Sequence, residues 1–281
     1  ELKLRYPVSE KAKAHTFIDS AAYDAMYKQS IEQPDVFWGE KAKEFIDWYQ
    51  PWDTVSKVDM KNSEISWFTG AKLNVSYNCI DRHLATKANN TAIIFEGDDP
   101  NDDLKVTYQE LHDHVCRLAN LLKERGVKKG DRVCLYMPMI PEITYAMLAC
   151  ARIGAIHSVI FGGFSTESIK ARVLDAECEV IITADESLRG GKSIPLKANV
   201  DSAVVDCPLV HSVIVVERTG GDVPYNDKLD IKYADAVANQ SAVCEPEVMD
   251  SEDPLFILYT SGSTGTPKGV VHTCGGYILY A

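Results

Sequence analysis

The sequence lacks a long uninterrupted apolar run, an excess of basic residues and any pair of cysteines at C-x-x-C spacing. Its most apolar stretch, residues 145–164, contains Arg152 and His157 and changes periodicity along its length. A membrane-spanning helix needs about 20 predominantly apolar residues. We therefore predict a helix followed by a buried strand in this stretch, and no membrane partner.

The charge balance is acidic, with 41 Asp and Glu residues against 29 Lys and Arg residues and a formal net charge of −12. Proteins bind nucleic acid largely by neutralising phosphates with cations, so we expect no nucleic-acid partner. The composition, 46% hydrophobic and 25% charged, is typical of a soluble globular protein with a substantial core. A length of 281 residues allows one large domain or two ordinary ones.

The eight cysteines lie mostly in apolar runs, such as Val133-Cys134-Leu135. A chain of this length needs no disulfides to complete its core. Free cysteine is one of the residues most often buried. We expect reduced, mostly buried thiols and a cytoplasmic location.

Two regions differ in pattern, and we predict a boundary near residue 85. Residues 1–85 hold all four tryptophans among short helical patterns, which indicates an N-terminal arm that packs on the rest of the protein. From residue 86, strands and helices alternate. A capping box at Thr107-Tyr108-Gln109-Glu110 begins a helix that Gly126 ends, and another helix begins at Pro141. Strands are predicted at 91–96, 132–137, 155–161, 179–183, 212–216 and 254–259.

This alternation predicts βαβ units and therefore an α/β fold with a largely parallel sheet and helices on both faces. The histidines indicate packing rather than chemistry. His112 and His114 are two positions apart on a predicted helix and point to different sides, which disfavours a shared metal. We predict His157 to be a core residue and His272 to help shape the site described next.

A glycine-rich segment follows the last predicted strand and reads Thr260-Ser261-Gly262-Ser263-Thr264-Gly265-Thr266-Pro267-Lys268-Gly269. Glycines let backbone N–H groups face a ligand, hydroxyls add donors, and the lysine supplies a cation for phosphates. It is not a Walker A loop, because Pro267 precedes the lysine and Gly269 follows it. A flexible linker is the alternative, but it accounts for neither the buried strand nor the Pro-Lys-Gly ending.

The segment S-G-S-T-G-T-P-K-G resembles the signature loop of the acyl-adenylate-forming enzymes, which include acyl-CoA synthetases, peptide-synthetase adenylation domains and luciferases. The resemblance implies that this loop binds the β- and γ-phosphates of ATP. It also implies that Lys268 acts catalytically on the leaving pyrophosphate and that Thr264 lies near Mg²⁺. The implied phosphate-binding residues are Thr260, Ser261, Gly262, Ser263, Thr264, Gly265 and Lys268.

Other segments are similar to the acetyl-CoA synthetase branch of that family, namely 48–53 in the aromatic arm, F-G-G-F-S at 161–165, and 188–197. The resemblance implies a coenzyme A site made by Gly163, Arg189, Gly190, Gly191 and Lys192. Arginine suits the 3′-phosphate and pyrophosphate of coenzyme A, and glycine permits close backbone approach. Lys192 stands where relatives often have arginine, so a forked contact is not expected there.

The resemblance implies a two-step reaction in which acetate and ATP give acetyl-adenylate and pyrophosphate, and coenzyme A then takes the acetyl group. Two alternatives stay open: a propionyl-CoA or other short-chain acyl-CoA synthetase, and a non-catalytic nucleotide-binding or interaction module. The chain stops at Tyr280-Ala281 within an apolar pattern, with no cap to finish the element. We therefore expect residues 86–281 to be an incomplete AMP-binding domain, whose acid pocket lies beyond residue 281, and the isolated chain to be inactive.

Overall fold

The computed structural model describes residues 6–261, 265 and 267–281. The N-terminal part contains short helices, a hairpin and a π-helical turn. Its elements are α1 (Glu10–Ala14), α2 (Ser20–Glu32), α3 (Pro34–Phe45), β1 (Thr54–Asp59), β2 (Glu64–Thr69), β3 (Lys72–Leu73), the π-helical turn (Tyr77–Asp81) and α4 (Arg82–Lys87).

The aromatic residues of this part form a packed cluster, as the sequence predicts. Phe68 is fully buried, and its ring centroid lies 5.3 Å from that of Trp48 and 5.0 Å from that of Trp52. The Trp48 indole donates to the Ala42 carbonyl at 2.9 Å, which satisfies its buried N–H. The antiparallel hairpin β1–β2 is not predicted, because its strands alternate polar and apolar residues only weakly.

A buried asparagine joins this arm to the rest of the chain. The Asn74 side chain is fully buried, and its amide donates to the carbonyls of Ala151 (3.0 Å), Arg152 (3.2 Å) and Glu247 (2.9 Å). Ala151 and Arg152 lie in the last turn of a core helix, whose carbonyls lack partners within the helix, and Glu247 lies in a loop distant in sequence. The arm is therefore docked by specific hydrogen bonds as well as by aromatic packing.

The remaining elements alternate between strand and helix. They are β4 (Thr91–Glu96), β5 (Asp103–Thr107), α5 (Tyr108–Glu124), β6 (Arg132–Met137), α6 (Pro141–Ile153), β7 (Ile156–Phe161), α7 (Thr166–Asp175), β8 (Val180–Ala184), β9 (Ser187–Arg189), β10 (Lys192–Ile194), α8 (Leu196–Val204), β11 (Ser212–Val216), β12 (Asp230–Lys232), α9 (Tyr233–Ala238), β13 (Met249–Asp250), β14 (Pro254–Thr260), β15 (Lys268–Thr273) and α10 (Cys274–Tyr280). The predicted strands occur within one residue of their predicted bounds.

Local signals in the sequence account for several of these boundaries. The predicted capping box forms, since the Glu110 amide donates to the Thr107 hydroxyl oxygen and the Glu110 carboxylate accepts from the Thr107 amide. Gly126 follows the end of α5 with a φ of 89°, a conformation that glycine adopts readily. The apolar stretch 145–164 divides into α6 and β7, as predicted. Throughout the described ranges, no helix has the length and apolar character needed to cross a bilayer.

Seven strands form the main sheet in the order β12-β11-β8-β6-β7-β14-β15. All neighbours pair in parallel except β14 and β15, which confirms the prediction of a largely parallel sheet. Every residue of β8 and β11 is buried. α5 packs with α6 and α9, and α7 packs with α8. Right-handed crossovers place α6 on one face and the pair α7 and α8 on the other.

The strand order creates a switch point. The chain leaves β6 for β7 on one side, then crosses back over β6 to β8 and continues outward to β11. Ligands of open α/β sheets bind beyond the carboxyl ends of strands where the connections diverge in this way. The crevice between the ends of β6 and β8 is therefore the place where the topology favours a ligand site.

A buried ion pair anchors α6 to the π-helical turn. Arg152 is 2% exposed, and its two terminal nitrogens each lie 2.8 Å from an oxygen of Asp81. His112 on α5 approaches the same carboxylate, with Nε2 3.6 Å from Asp81 Oδ1. This contact, followed by the contact with Cys116, raises the pKa of His112 to about 10. Seven of the eight cysteines are buried, and all eight are free thiols, as predicted.

The raised pKa of His112 predicts a pH-dependent stability. Its contribution is complete below the ordinary pKa of 6.5 and is lost as pH rises through about 10. We expect His112→Gln to unfold with a free energy that declines less over this window than that of the wild type. Urea denaturation at both ends of the window measures the difference, with the exposed His15→Gln as control. Equal declines in all three proteins would contradict this assignment.

Candidate functional site

A cleft of about 400 Å³ opens at the carboxyl edge of the sheet, between the ends of β6 and β8. The loops that follow β6, β7, β8 and β11 line it together with the end of β4. Its lining includes Met137, Phe161, Gly162, Ser187, Arg189 and Arg218. The cleft therefore lies where the strand order favours a ligand and contains two of the predicted segments, the F-G-G-F turn and the arginine loop.

The F-G-G-F turn (residues 161–164) is held by one buried phenol. Tyr136 is fully buried near the end of β6, and its hydroxyl donates to the Phe164 carbonyl at 2.9 Å. The same oxygen accepts from the Gly163 amide and from the Asn199 side-chain amide, both at 3.2 Å. A buried hydroxyl with every hydrogen-bonding capacity used fixes its partners firmly. Tyr136 therefore sets the position of the turn.

The two glycines of the turn are required for different reasons. A Cβ on Gly162 would lie 2.9 Å from the Met137 carbonyl oxygen, so any side chain would push against backbone. Gly163 has a φ of 122°, which L-residues rarely adopt. A Cβ there would meet only Ile194 Cδ1, at 3.8 Å. The turn thus presents its backbone to solvent without an intervening side chain.

The arginine loop is the tight hairpin formed by β9 and β10. Arg189 pairs with Lys192 across the hairpin, and the two residues between them, Gly190 and Gly191, have φ values of 56° and 73°. Two-residue hairpin turns of type I′ need positive φ at both positions, which explains the paired glycines. Both cationic side chains are exposed. The hairpin therefore holds two cations beside each other in solvent.

The arginine loop packs against the F-G-G-F turn. The guanidinium carbon of Arg189 lies 5.1 Å from the centroid of the Phe161 ring, a cation–π distance. Ile194 also lies near the turn, with its Cδ1 3.8 Å from the position that a Cβ on Gly163 would take. The structure thus brings together all five residues predicted for coenzyme A: Gly163, Arg189, Gly190, Gly191 and Lys192.

The glycine-rich segment connects β14 and β15 as a hairpin, which will be called the glycine-rich hairpin (residues 260–269). Thr260 pairs with Lys268 at its neck, and both side chains are exposed, as is Ser261. Gly265 has a φ of 81°. The predicted phosphate-binding residues Gly262, Ser263 and Thr264 lie outside the described residues. Because β14 pairs in parallel with β7, this hairpin and the F-G-G-F turn emerge at the same edge of the sheet.

Comparison with known proteins agrees with this geometry. The family pattern described as "AMP-binding enzyme" matches residues 80–281, and that of the "acetyl-coenzyme A synthetase N-terminus" matches residues 23–79. The chain belongs to the AMP-binding enzyme family. It is 62% identical over 276 residues to an acetyl-coenzyme A synthetase of Saccharophagus degradans and 58% identical over 276 residues to acetyl-coenzyme A synthetase 2 of Pseudomonas aeruginosa. Each match covers 98% of this chain and 43% of the relative, so the chain spans less than half of their length.

Two residues of this AMP-binding enzyme for which the sequence predicts no role shape the cleft. The buried Asp185 carboxylate, just beyond β8, accepts from the backbone amides of Arg218 (2.8 Å), Thr219 (3.1 Å) and Gly220 (2.9 Å). Burial opposes ionisation, but these donors outweigh it and lower the pKa of Asp185. The Arg218 side chain lies over the Phe95 ring at 5.5 Å and pairs with Asp102.

His112, His114 and His157 are packed, as predicted, and none of them lines the cleft. His157 is 7% exposed, and burial lowers its pKa to about 4. His272, on the strand β15 that leaves the glycine-rich hairpin, stacks on Phe256 of β14 with ring centroids 4.5 Å apart. His114 stacks on Tyr145 at 4.6 Å, away from His112, which faces Asp81. Within the described part of the chain, no group of three His, Cys, Asp or Glu side chains is placed to hold a metal ion.

The Tyr136 hydroxyl gives a direct test of how the F-G-G-F turn is held. Tyr136→Phe removes a hydroxyl that donates one hydrogen bond and accepts two, so we expect the free energy of unfolding to fall by about 1–3 kcal/mol. The Gly163 amide should exchange its hydrogen faster, as measured by amide exchange with mass spectrometry. Tyr280→Phe, at an exposed position, is the control. Unchanged exchange in Tyr136→Phe would show that the turn does not depend on this phenol.

Proposed function

We propose that this chain is the N-terminal part of an AMP-forming acyl-CoA ligase that prefers acetate. The observation that carries the proposal is that the glycine-rich hairpin and the arginine loop, the two segments predicted to bind anions, lie at one edge of the sheet. The glycine-rich hairpin offers hydroxyls, backbone amides and Lys268, whereas the arginine loop offers Arg189 and Lys192. A triphosphate and the polyanionic nucleotide of coenzyme A are ligands that such sites suit. The relatives' names indicate the same reaction.

We further propose a division of the chain into an N-terminal arm, residues 1–85, and an incomplete AMP-binding domain, residues 86–281. The family matches, which meet between residues 79 and 80, support a boundary in this region. So does the change from the aromatic cluster around Phe68 to the alternating strands and helices. The buried free thiols support a reducing location, and we place the protein in the cytoplasm on that basis.

The first proposed step joins a carboxylate to ATP. A carboxylate oxygen attacks the α-phosphorus, the bond from that phosphorus to the bridging oxygen breaks, and pyrophosphate leaves. Lys268 and the amides of the glycine-rich hairpin screen the charge on the leaving pyrophosphate, so they act by position and electrostatics. ATP carries Mg²⁺ in such reactions, and Thr264 is the predicted contact. The described residues offer no group of three His, Cys, Asp or Glu side chains to hold that ion.

The second proposed step uses the cleft. The coenzyme A thiolate attacks the acyl-adenylate carbonyl, a carbon–sulfur bond forms, and AMP leaves. Arg189 and Lys192 hold the phosphates of the coenzyme A nucleotide, while the bare backbone of Gly163 permits close approach. The Phe161 ring is 52% exposed beside Arg189 and offers a face on which a base can stack. Arg189, Lys192 and Gly163 therefore bind coenzyme A at its nucleotide end, away from the thiol.

Thioester formation by the complete protein tests the proposal. With ATP, coenzyme A and a series of acids, we expect acetyl-CoA and AMP, with acetate the best substrate. A preference for propionate would support the related short-chain synthetase, and no thioester from any acid would support a non-catalytic module. The isolated 281-residue chain should give no ATP–pyrophosphate exchange above background, because we expect the acid pocket to lie beyond residue 281.

Single variants of the complete protein separate the two anion sites. Lys268→Ala should slow ATP–pyrophosphate exchange about a hundredfold, since it removes a charge that acts on the leaving group. Arg189→Ala should raise KM for coenzyme A about tenfold and leave exchange unchanged, since it removes a charged contact to the second substrate only. The exposed Lys228→Ala, outside both hairpins, is the control. The reverse pattern would show that the assignment of Lys268 to ATP and of Arg189 to coenzyme A is wrong.

A further inference from the structure

A row of cations and aromatic rings runs from the arginine loop to the glycine-rich hairpin. We call it the cation–aromatic stack, and its members in order are Arg189, Phe161, Phe164, Arg172 and Tyr259. Arg189 lies over the Phe161 ring, whose centroid is 5.9 Å from that of Phe164 in an edge-on contact. Arg172 then lies between Phe164 and Tyr259. The first members border the cleft, and the last lies at the neck of the glycine-rich hairpin.

We propose that Arg172 is a positioning residue that fixes the spacing between the F-G-G-F turn and the glycine-rich hairpin, so that both ligand sites depend on it. The idea rests on the proposed function for the identity of the two ligands, a nucleoside triphosphate and the nucleotide of coenzyme A. Arg172 has no role in the sequence predictions. It touches neither proposed ligand and acts through the aromatic rings on either side.

The surroundings of Arg172 support this role. The residue is 8% exposed on α7, and its guanidinium carbon lies 5.0 Å from the Phe164 centroid and 5.4 Å from the Tyr259 centroid. Its Nη1 donates to the Ser168 carbonyl at 2.8 Å, which ties the group to its own helix. A planar cation can lie against two ring faces, and such contacts strengthen when they are shielded from water. The Arg172 guanidinium thus keeps the Phe164 and Tyr259 rings a fixed distance apart.

Tyr259 is held at both ends of its side chain by α7. Besides the contact of its ring with Arg172, its hydroxyl donates to Asp175 Oδ2 at 2.6 Å. Burial, together with this bond to Asp175, raises the pKa of the Tyr259 phenol. The ring covers Gly269, where a Cβ would lie 3.4 Å from Tyr259 Cζ and 3.1 Å from Ile257 Cγ2. Gly269 follows Lys268, so the placement of Tyr259 sets the strand that carries the predicted catalytic lysine.

The other end of the stack is equally constrained. Phe164 belongs to the turn whose carbonyl and amide are held by the Tyr136 hydroxyl. A shift of the Phe164 ring would therefore act against the backbone that is proposed to meet coenzyme A. Loss of the guanidinium leaves a gap between the two rings, and the rings can close that gap only by moving the turn, the hairpin or both. We therefore expect both ligands to bind more weakly when the guanidinium is lost.

Binding measurements on the complete protein test the proposal without turnover. Calorimetry gives Kd for ATP and, separately, for adenosine 3′,5′-bisphosphate, the nucleotide end of coenzyme A. Arg172→Met, which keeps length but loses charge, should raise both Kd values about threefold to tenfold. Arg172→Lys should also raise both Kd values, because lysine keeps the charge but lacks the planar guanidinium group. Arg189→Met, in contrast, should weaken the bisphosphate alone.

Two further variants separate positioning from general loss of stability. Ile169→Val shortens a fully buried side chain on the same helix, so it should lower the melting temperature and leave both Kd values unchanged. Asp175→Ala, at an exposed position, removes only the acceptor of the Tyr259 hydroxyl and should weaken the binding of ATP more than that of the bisphosphate.

The proposal is overturned if Arg172→Met changes one Kd or neither, if Ile169→Val reproduces its effect, or if the wild type binds neither ligand. A wild type that binds both ligands but forms no thioester would refute the proposed reaction and leave the role of Arg172 standing.

Discussion

The parallel pairing of β7 with β14 is the constraint on which the site depends. Phe256 lies opposite His157 and Ile257 opposite Ser158, so the two strands run side by side and end at the same edge. The segment after β7 is the F-G-G-F turn, and the segment after β14 is the glycine-rich hairpin. Although 98 residues separate Phe161 from Tyr259, the sheet makes their loops neighbours. Without this pairing the two predicted anion sites would be unrelated surface features.

Aromatic rings and charged groups, as well as aliphatic side chains, pack around this edge of the sheet. The Asp185 carboxylate accepts from backbone amides of the loop after β11, and the Tyr136 hydroxyl accepts from the Gly163 amide and donates to the Phe164 carbonyl of the turn. Each is a buried polar group whose backbone partners lie in a loop that follows another strand of the sheet. Such groups are costly when unpaired and therefore specify one arrangement of the loops. The exposed cations Arg189 and Lys268 can then face solvent from a rigid base.

Local sequence signals predicted much of the fold. The capping box at Thr107 and the helix start at Pro141 depend on residues within a few positions of one another, so a single sequence reveals them. The remainder depends on distant partners. Nothing near Tyr136 indicates that it holds a turn 28 residues later, and nothing near Arg172 indicates Tyr259. Contacts of this kind become visible only when the sheet order is known.

The central claim is that two separate nucleotide sites share one sheet edge, and backbone amide NMR of the labelled chain tests it most directly. Titration with adenosine 3′,5′-bisphosphate should shift the amides of Gly163, Gly190 and Gly191 and leave that of Gly265 in place. Subsequent addition of pyrophosphate should shift Gly265. Shifts confined to the N-terminal arm, or one common set of shifts for both ligands, would contradict the account.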